Sequence, residues 1–77
     1  MSTNESPVRY EKRGHTAYIT LNRPQVLNAI NRELGTALRD ALIDFRDDDG
    51  LLVGIVTGEG GRAFSAGADL KEQDQVL

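Results

Sequence analysis

The chain has 77 residues, a net charge of −3 at neutral pH, no cysteine and a single histidine. This composition excludes thiol redox chemistry and cysteine-based metal sites, and scattered basic residues with an acidic balance argue against a nucleic-acid partner. No apolar run approaches the roughly 20 residues that cross a bilayer. We therefore expect a cytoplasmic protein with no metal and no membrane association, and we expect the polar residues 1–7 to be disordered.

The first two predicted elements form a β-hairpin. Val8–Arg13 can form a short edge strand, and Gly14 supplies the turn. Thr16–Leu21 alternates polar and apolar residues with the two-residue period of a strand whose faces differ in polarity. Because only a short glycine turn separates the two segments, we pair them as a hairpin. Pro24 ends the second strand, since proline donates no backbone hydrogen bond.

Apolar residues then recur at steps of three and four, which predicts an amphipathic helix. The stripe consists of Ile30, Leu34, Ala37, Leu38, Ala41, Leu42 and Phe45. Asn31 is the predicted N-cap, and Glu33 places negative charge in the first turn, where the helix dipole favours it. Asp47–Gly50 ends the helix. This acidic run lacks the residues that an EF-hand loop requires, so we interpret it as a solvated turn rather than a calcium site.

Leu51–Gly58 is a continuous apolar run that is too short for a typical helix. It predicts a strand covered on both faces, as in parallel sheets. Strand, helix and strand make a βαβ unit, and this order of elements predicts an α/β fold.

A segment rich in glycine and alanine follows, Gly61–Glu72, with the sequence GRAFSAGADLKE. It lacks the Gly-Lys-Ser/Thr ending of a phosphate loop. Gly58, Gly60 and Ala63 fit the dinucleotide pattern G-x-G-x-x-A, but that pattern must open a helix directly, and no acidic residue stands about 20 positions later. Both phosphate-binding alternatives are therefore weak.

A serine nucleophile is a third alternative, because Ser65 lies in a sequence close to G-x-S-x-G. Ser65 is well beyond the end of the strand, however, whereas a nucleophile elbow follows its strand at once. No histidine comes after it to act as a base, and His15 precedes a strand at the hairpin. We interpret His15 as a turn residue and Ser65 as a small polar loop residue.

The fourth interpretation uses the backbone. A helix is predicted to begin near Ala68, and the first amides of a helix have no internal partner. They would lie beyond the carboxyl end of a buried strand, where open α/β sheets bind their ligands. Small flanking side chains would let a ligand approach closely, so the segment predicts a receptor for an anion or for a developing oxyanion.

Two separated stretches, ITLNRPQVLNAI (residues 19–30) and IVTGEGGRAFSAGADLKE (residues 55–72), together resemble the crotonase, or enoyl-CoA hydratase/isomerase, superfamily. The resemblance covers the chain from about Val8 onward. It implies a spiral of ββα repeats assembled as trimers or pairs of trimers, and an acyl-CoA thioester as substrate with no separate cofactor. Residues 1–77 would be the N-terminal portion of one such domain: hairpin, helix, parallel buried strand and the start of the oxyanion-hole helix.

The resemblance also implies a site. The amide of Ala68 would be one of two donors that hold the thioester oxygen. The implied coenzyme A contacts are Ala29, Ala66, Gly67, Asp69, Leu70 and Lys71. The family often carries a basic residue that helps to bind the CoA phosphates where this chain has Gln25, so the resemblance does not support that contact here. We interpret Asp69 as a first-turn charge and Glu72 as solvated, since the acid/base glutamates and the second donor of the hydratases come later in the chain.

The leading hypothesis is therefore part of an enoyl-CoA hydratase or isomerase. Another reaction on the same fold (isomerase, dehydratase, dehalogenase or thioester hydrolase) and a non-catalytic CoA-binding or oligomerisation module stay open as alternatives, because fold does not fix function.

Overall fold

The computed structural model describes residues 6–68 of the chain. Three strands, one helix and a short 3₁₀ turn follow each other in the predicted order: β1 (Val8–Arg13), β2 (Thr16–Leu21), the 3₁₀ turn (Pro24–Val26), α1 (Arg32–Asp47) and β3 (Val53–Gly58). The strands form one sheet in the order β1-β2-β3. In this part of the chain, α1 is too short and too polar to cross a bilayer.

The hairpin is confirmed. β1 and β2 pair antiparallel from Val8 opposite Leu21 to Arg13 opposite Thr16. Gly14 adopts a φ of +60° in the connecting turn, a conformation that glycine reaches without steric cost. His15 Nδ1 lies 2.9 Å from the carbonyl oxygen of Gly50, so this exposed histidine is a turn residue as predicted.

The helix α1 covers one face of the sheet. Asn31 is its N-cap as predicted, with Oδ1 accepting a hydrogen bond of 2.8 Å from the amide of Leu34. Leu34 and Ala41 are buried against the sheet residues Val8, Ile19 and Leu21. A fully buried leucine side chain contributes roughly 1.5–3 kcal/mol, so Leu34, which has no exposed surface, anchors the helix to the sheet.

The strand β3 is parallel to β2, from Thr16 beside Val53 to Leu21 beside Gly58. The predicted pairing is thus confirmed, but the predicted burial on both faces is wrong for the described residues. Val53 and Ile55 are 51% and 43% exposed. The physical reason is that β3 is an edge strand with one neighbour, and α1 packs on one face of the sheet only.

An exposed ion cluster joins β1 to the end of α1. Lys12 Nζ lies 2.9 Å from a carboxylate oxygen of Asp44 and 2.9 Å from one of Asp48. These hydrogen bonds lower the pKa of both carboxyl groups. Asp48 Oδ1 also accepts a hydrogen bond of 2.9 Å from the amide of Gly50. The acidic run therefore forms the predicted turn.

The chain before β1 is held at Ser6 and Pro7. The amide of Asn22 donates to the Pro7 carbonyl at 2.7 Å, and Asn22 Nδ2 donates to the Ser6 carbonyl at 3.1 Å. The loop after β2 thus supplies hydrogen-bond partners for the carbonyl groups of both residues. The disorder predicted for residues 1–7 stays a prediction, since residues 1–5 lie outside the described residues.

Asn28 joins the loop after β2 to the loop after β3. Its side chain is completely buried, and its φ of +57° is one that asparagine tolerates better than most residues. Oδ1 accepts from the amide of Arg23 at 2.8 Å, and Nδ2 donates to the carbonyls of Glu59 and Ala63, both at 3.0 Å. One buried amide group thereby fixes two loops against each other.

We expect the substitution Gly35→Ala in α1 to raise the free energy of unfolding by about 0.5–1 kcal/mol, because glycine weakens a helix interior. The added Cβ would meet only Ile30 Cγ2, at an ordinary contact distance of 3.8 Å. Urea unfolding of the full-length protein, meaning the product of the complete reading frame that contains residues 1–77, measures the change. Gly58→Ala is the contrasting variant and should lower the free energy of unfolding, since its Cβ would lie 2.3 Å from the Phe64 carbonyl oxygen. A loss of stability in Gly35→Ala would contradict the packing described for α1.

We expect Asn28→Asp to lower the free energy of unfolding at pH 7 by about 3 kcal/mol or more, because a buried carboxylate would face two carbonyl oxygens. Burial would raise the pKa of this carboxyl group in the folded state. Its charged form is then disfavoured, so the deficit relative to wild type should shrink as the pH falls from 7 towards 4. Urea unfolding at several pH values measures this dependence.

Asn22→Asp is the matched control for that experiment. Asn22 is only partly buried, and its side chain donates one hydrogen bond, to Ser6. The same chemical change there should cost less than about 1 kcal/mol, the range of a single replaceable hydrogen bond. Equal losses at the two positions would mean that Asn28 is not the joint between the loops.

Candidate oxyanion site

The small-residue segment returns to the start of α1 after leaving β3. We call residues 63–68 the AFSAGA loop after their sequence. The loop follows the carboxyl end of β3, and its last residue, Ala68, forms an isolated parallel bridge with Ile30. The fold therefore places this loop beside the segment that leads into α1, at the edge of the sheet where parallel strands end.

Gly67 is held on both sides of its backbone. Its carbonyl oxygen accepts a hydrogen bond of 2.7 Å from the amide of Ile30, and its own amide donates to Ser65 Oγ at 3.0 Å. The φ of Gly67 is +88°, a value that residues with a side chain rarely adopt. Glycine is thus required here by backbone conformation, and the peptide that follows it is fixed.

The direction of the Ala68 amide follows from that fixed peptide. The Gly67 carbonyl and the Ala68 N–H belong to one peptide bond, and in a trans peptide they point in opposite directions; the described chain contains no cis peptide. Since the carbonyl points to Ile30, the Ala68 N–H points away from it. Within residues 6–68 this N–H has no hydrogen-bond acceptor, and Ala68 is exposed.

Ser65 has more contacts than a small polar loop residue needs. Its Oγ donates to the main-chain carbonyl of Asn28 at 2.9 Å and accepts from the Gly67 amide. The interpretation of Ser65 as a plain loop residue is therefore incomplete. The Ser65 hydroxyl donates its proton to the Asn28 carbonyl oxygen. His15 lies at the opposite end of β2, roughly 20 Å away for a six-residue strand. This geometry does not support a Ser65–His15 catalytic pair.

Packing explains the glycines that fit the dinucleotide pattern. A Cβ on Gly58 would lie 2.3 Å from the Phe64 carbonyl oxygen and 2.8 Å from Asn28 Nδ2. A Cβ on Gly60, whose φ is +103°, would lie 2.8 Å from Pro24 Cβ. Both glycines are needed for the close approach of the two loops, so neither has to be explained by a bound pyrophosphate.

The other predicted contact residues fall into two groups. Ala29 lies beside the AFSAGA loop; its amide donates to Val26 at 3.1 Å, and its carbonyl accepts from Arg23 Nη1 at 2.6 Å. Ala66 is exposed within the loop, and Gln25 is exposed in the 3₁₀ turn. The remaining residues, Asp69, Leu70, Lys71 and Glu72, and the helix predicted to begin near Ala68, lie outside the described residues.

Two surface depressions bear on ligand binding. A shallow pocket of about 340 Å³ lies beside the AFSAGA loop, where Arg62 and Phe64 are exposed. A larger groove of about 510 Å³ lies between β1 and α1. Its polar groups already pair with each other, since Tyr10 and Lys12 both hydrogen-bond to Asp44. The smaller pocket is the one whose lining includes residues of the AFSAGA loop, Ala63 and Phe64.

Asn28 is a residue of the site to which the sequence analysis assigned no role. It lies in residues 19–30, one of the two stretches that carry the family resemblance. Two signals point to it: asparagine is among the few residues that tolerate a positive φ, and here it stands in an otherwise apolar stretch, between Leu27 and Ala29.

Comparison with known proteins identifies the family of this chain. The sequence model of the enoyl-CoA hydratase/isomerase family matches residues 11–76. The chain is 36% identical over 66 residues to the (E)-benzylidenesuccinyl-CoA hydratase of Thauera aromatica, which covers 86% of this chain and 26% of that protein. It is 45% identical over 64 residues to the carnitinyl-CoA dehydratase of Salmonella arizonae, covering 83% of this chain and 24% of the relative.

Among solved structures, the enoyl-CoA hydratase of Mycobacterium tuberculosis H37Rv superposes with a TM-score of 0.88 at 42% identity, covering 92% of this chain and 28% of that one. The chain thus spans about a quarter of the length of the proteins it matches. Sequence and fold agree over nearly all of the described residues, and the chain belongs to the enoyl-CoA hydratase/isomerase, or crotonase, family.

Proposed function

We propose that this chain is the N-terminal part of an acyl-CoA enzyme and that the Ala68 N–H is one of the hydrogen-bond donors that polarise the thioester carbonyl. The observation that carries the proposal is the direction of that N–H. It points away from Ile30, has no acceptor in the described chain and lies on an exposed segment.

The chemistry fits a main-chain donor. When water adds to the β-carbon of an enoyl thioester, negative charge accumulates on the thioester oxygen before the α-carbon takes up a proton. A fixed N–H directed at that oxygen stabilises the charged state more than the neutral substrate, and loss of one such donor typically costs 10²–10³-fold in kcat. Because a peptide N–H does not titrate, its contribution does not depend on pH.

The surroundings of Ala68 allow a thioester to come close. Ala66, Gly67 and Ala68 are all exposed and carry at most a methyl group. The pocket lined by Arg62 and Phe64 lies at the start of the same loop. A ligand can therefore approach the backbone without displacing a large side chain.

Hydration and dehydration of acyl-CoA thioesters share this activation step. One relative is named a hydratase and another a dehydratase, both of CoA thioesters. We accordingly propose a hydratase-type reaction, in either direction, on an acyl-CoA in a cytoplasmic enzyme that assembles as a homotrimer or hexamer. Coenzyme A enters as part of the substrate. It would be contacted by Ala29, Ala66, Gly67, Asp69, Leu70 and Lys71.

We expect Ala68→Pro in the full-length protein to lower kcat for crotonyl-CoA hydration by roughly 10²–10³-fold, because proline has no N–H to donate. Ala68→Gly is the comparison at the same position, since it retains the N–H and should lose far less activity. Steady-state kinetics with circular-dichroism spectra of both variants measure the effect. Equal activity in the proline and glycine variants would refute the role of the amide.

We also expect residues 1–77 alone to hydrate no crotonyl-CoA above the buffer rate. The family resemblance assigns the acid/base glutamates and the second oxyanion donor to later positions in the chain. Loss of the crotonyl-CoA absorbance measures hydration, with the full-length protein as the positive control. Measurable turnover by the 77-residue chain would mean that its own carboxylates supply the acid/base chemistry.

A further inference from the structure

A series of hydrogen bonds links the buried Asn28 to Gly67, the residue that precedes the Ala68 N–H. The Asn28 carbonyl accepts from Ser65 Oγ at 2.9 Å, and the same Oγ accepts from the Gly67 amide at 3.0 Å. The Gly67 carbonyl in turn accepts from Ile30 at 2.7 Å. Gly67 is therefore fixed through both its N–H and its C=O, and only the first of these bonds depends on a side chain.

Asn28, the first residue in this series of hydrogen bonds, is held firmly in place. Asn28 is completely buried, and both its backbone N–H and its side chain are hydrogen-bonded. Its carbonyl group is accordingly a fixed acceptor for the Ser65 hydroxyl. Ser65 transmits that fixed position to Gly67, two residues along the AFSAGA loop.

Gly67, the last residue in the series, has few other contacts in the described part of the chain. Ala66, Gly67 and Ala68 are exposed, and glycine at position 67 has the widest backbone freedom of any residue. The Ile30 hydrogen bond holds the 67–68 peptide directly, whereas the Ser65 hydroxyl holds the 66–67 peptide that precedes it. Without the Ser65 hydroxyl, only the Ile30 bond from the described part of the chain would restrain the backbone at Gly67. Rotation of the 67–68 peptide would turn the Ala68 N–H away from its target.

We propose that Ser65 is a positioning residue: its hydroxyl, held by the Asn28 carbonyl, fixes the Ala66–Gly67 peptide through the Gly67 N–H. The next peptide, Gly67–Ala68, is thereby oriented so that the Ala68 N–H faces the thioester oxygen. This inference rests on the proposed function of Ala68. The serine does not touch the substrate, and its effect is on the geometry of the donor.

Loss of such a positioning role should lower kcat and leave KM nearly unchanged. The donor matters most when the oxygen carries charge, so a badly oriented N–H lowers kcat while substrate binding through the rest of coenzyme A changes little. A purely structural role would instead lower the urea midpoint and leave the kcat of the folded protein unchanged. Because Gly67 is exposed, water can replace the lost acceptor, so we expect only a small shift of the urea midpoint.

The test compares Ser65→Ala, Ser65→Thr and Thr36→Ala in the full-length protein. We expect Ser65→Ala to lower kcat for crotonyl-CoA hydration about tenfold, equivalent to about 1.4 kcal/mol, with KM changed less than about twofold. Ser65→Thr restores the hydroxyl and should recover most of the loss. Thr36→Ala removes a hydroxyl from the exposed side of α1 and should match wild type. If Ser65→Ala does not fold, Ser65→Cys, which keeps the volume and weakens both hydrogen bonds, replaces it.

A second readout does not depend on turnover. The infrared carbonyl band of butyryl-CoA labelled with ¹³C at the thioester carbon should move to lower frequency on binding to wild type, less so in Ser65→Ala and again fully in Ser65→Thr. A full shift and unchanged kcat in a folded Ser65→Ala would overturn this inference alone. If neither wild type nor Ala68→Pro shifts the band, the proposed function fails and the inference fails with it.

Discussion

The hydrogen bond between the Ile30 amide and the Gly67 carbonyl governs the geometry of the site. It turns one face of a single peptide towards the start of α1 and leaves the other face, with the Ala68 N–H, open. The rest of the described structure serves to make that bond possible. The hairpin and α1 place Ile30, β3 delivers the AFSAGA loop to the same edge of the sheet, and Gly67 supplies the backbone conformation that joins them.

Close packing of two loops explains why so many small residues stand together in this sequence. Gly58 approaches the Phe64 carbonyl and the Asn28 amide, and Gly60 approaches Pro24, at distances that no Cβ could share. These contacts let one buried side chain, that of Asn28, reach two carbonyl groups of the opposite loop. The small residues at the beginning of this segment therefore serve packing, whereas those at its end, residues 66–68, are exposed and serve the proposed approach of a ligand.

Much of this arrangement could be predicted from local patterns. Alternation gave the hairpin, the apolar stripe gave α1, and the Asn31 cap marked its first residue. The exposure of β3 could not be predicted this way. An apolar run indicates that a strand is suited to burial, but its actual exposure depends on which neighbouring elements are present. The roles of Asn28 and Ser65 were missed for a related reason: they arise from contacts between residues more than 30 positions apart.

The exposed edge of β3 has a consequence for handling the 77-residue chain in solution. Among residues 6–68, no strand pairs with the second edge of β3, and apolar side chains lie on both of its faces. Such an edge is a template on which another strand can add, which favours self-association. No lysine, arginine, aspartate or glutamate interrupts Val53–Gly58, although such charges commonly protect open edges. Isolated preparations of this chain should therefore be prone to concentration-dependent aggregation through β3.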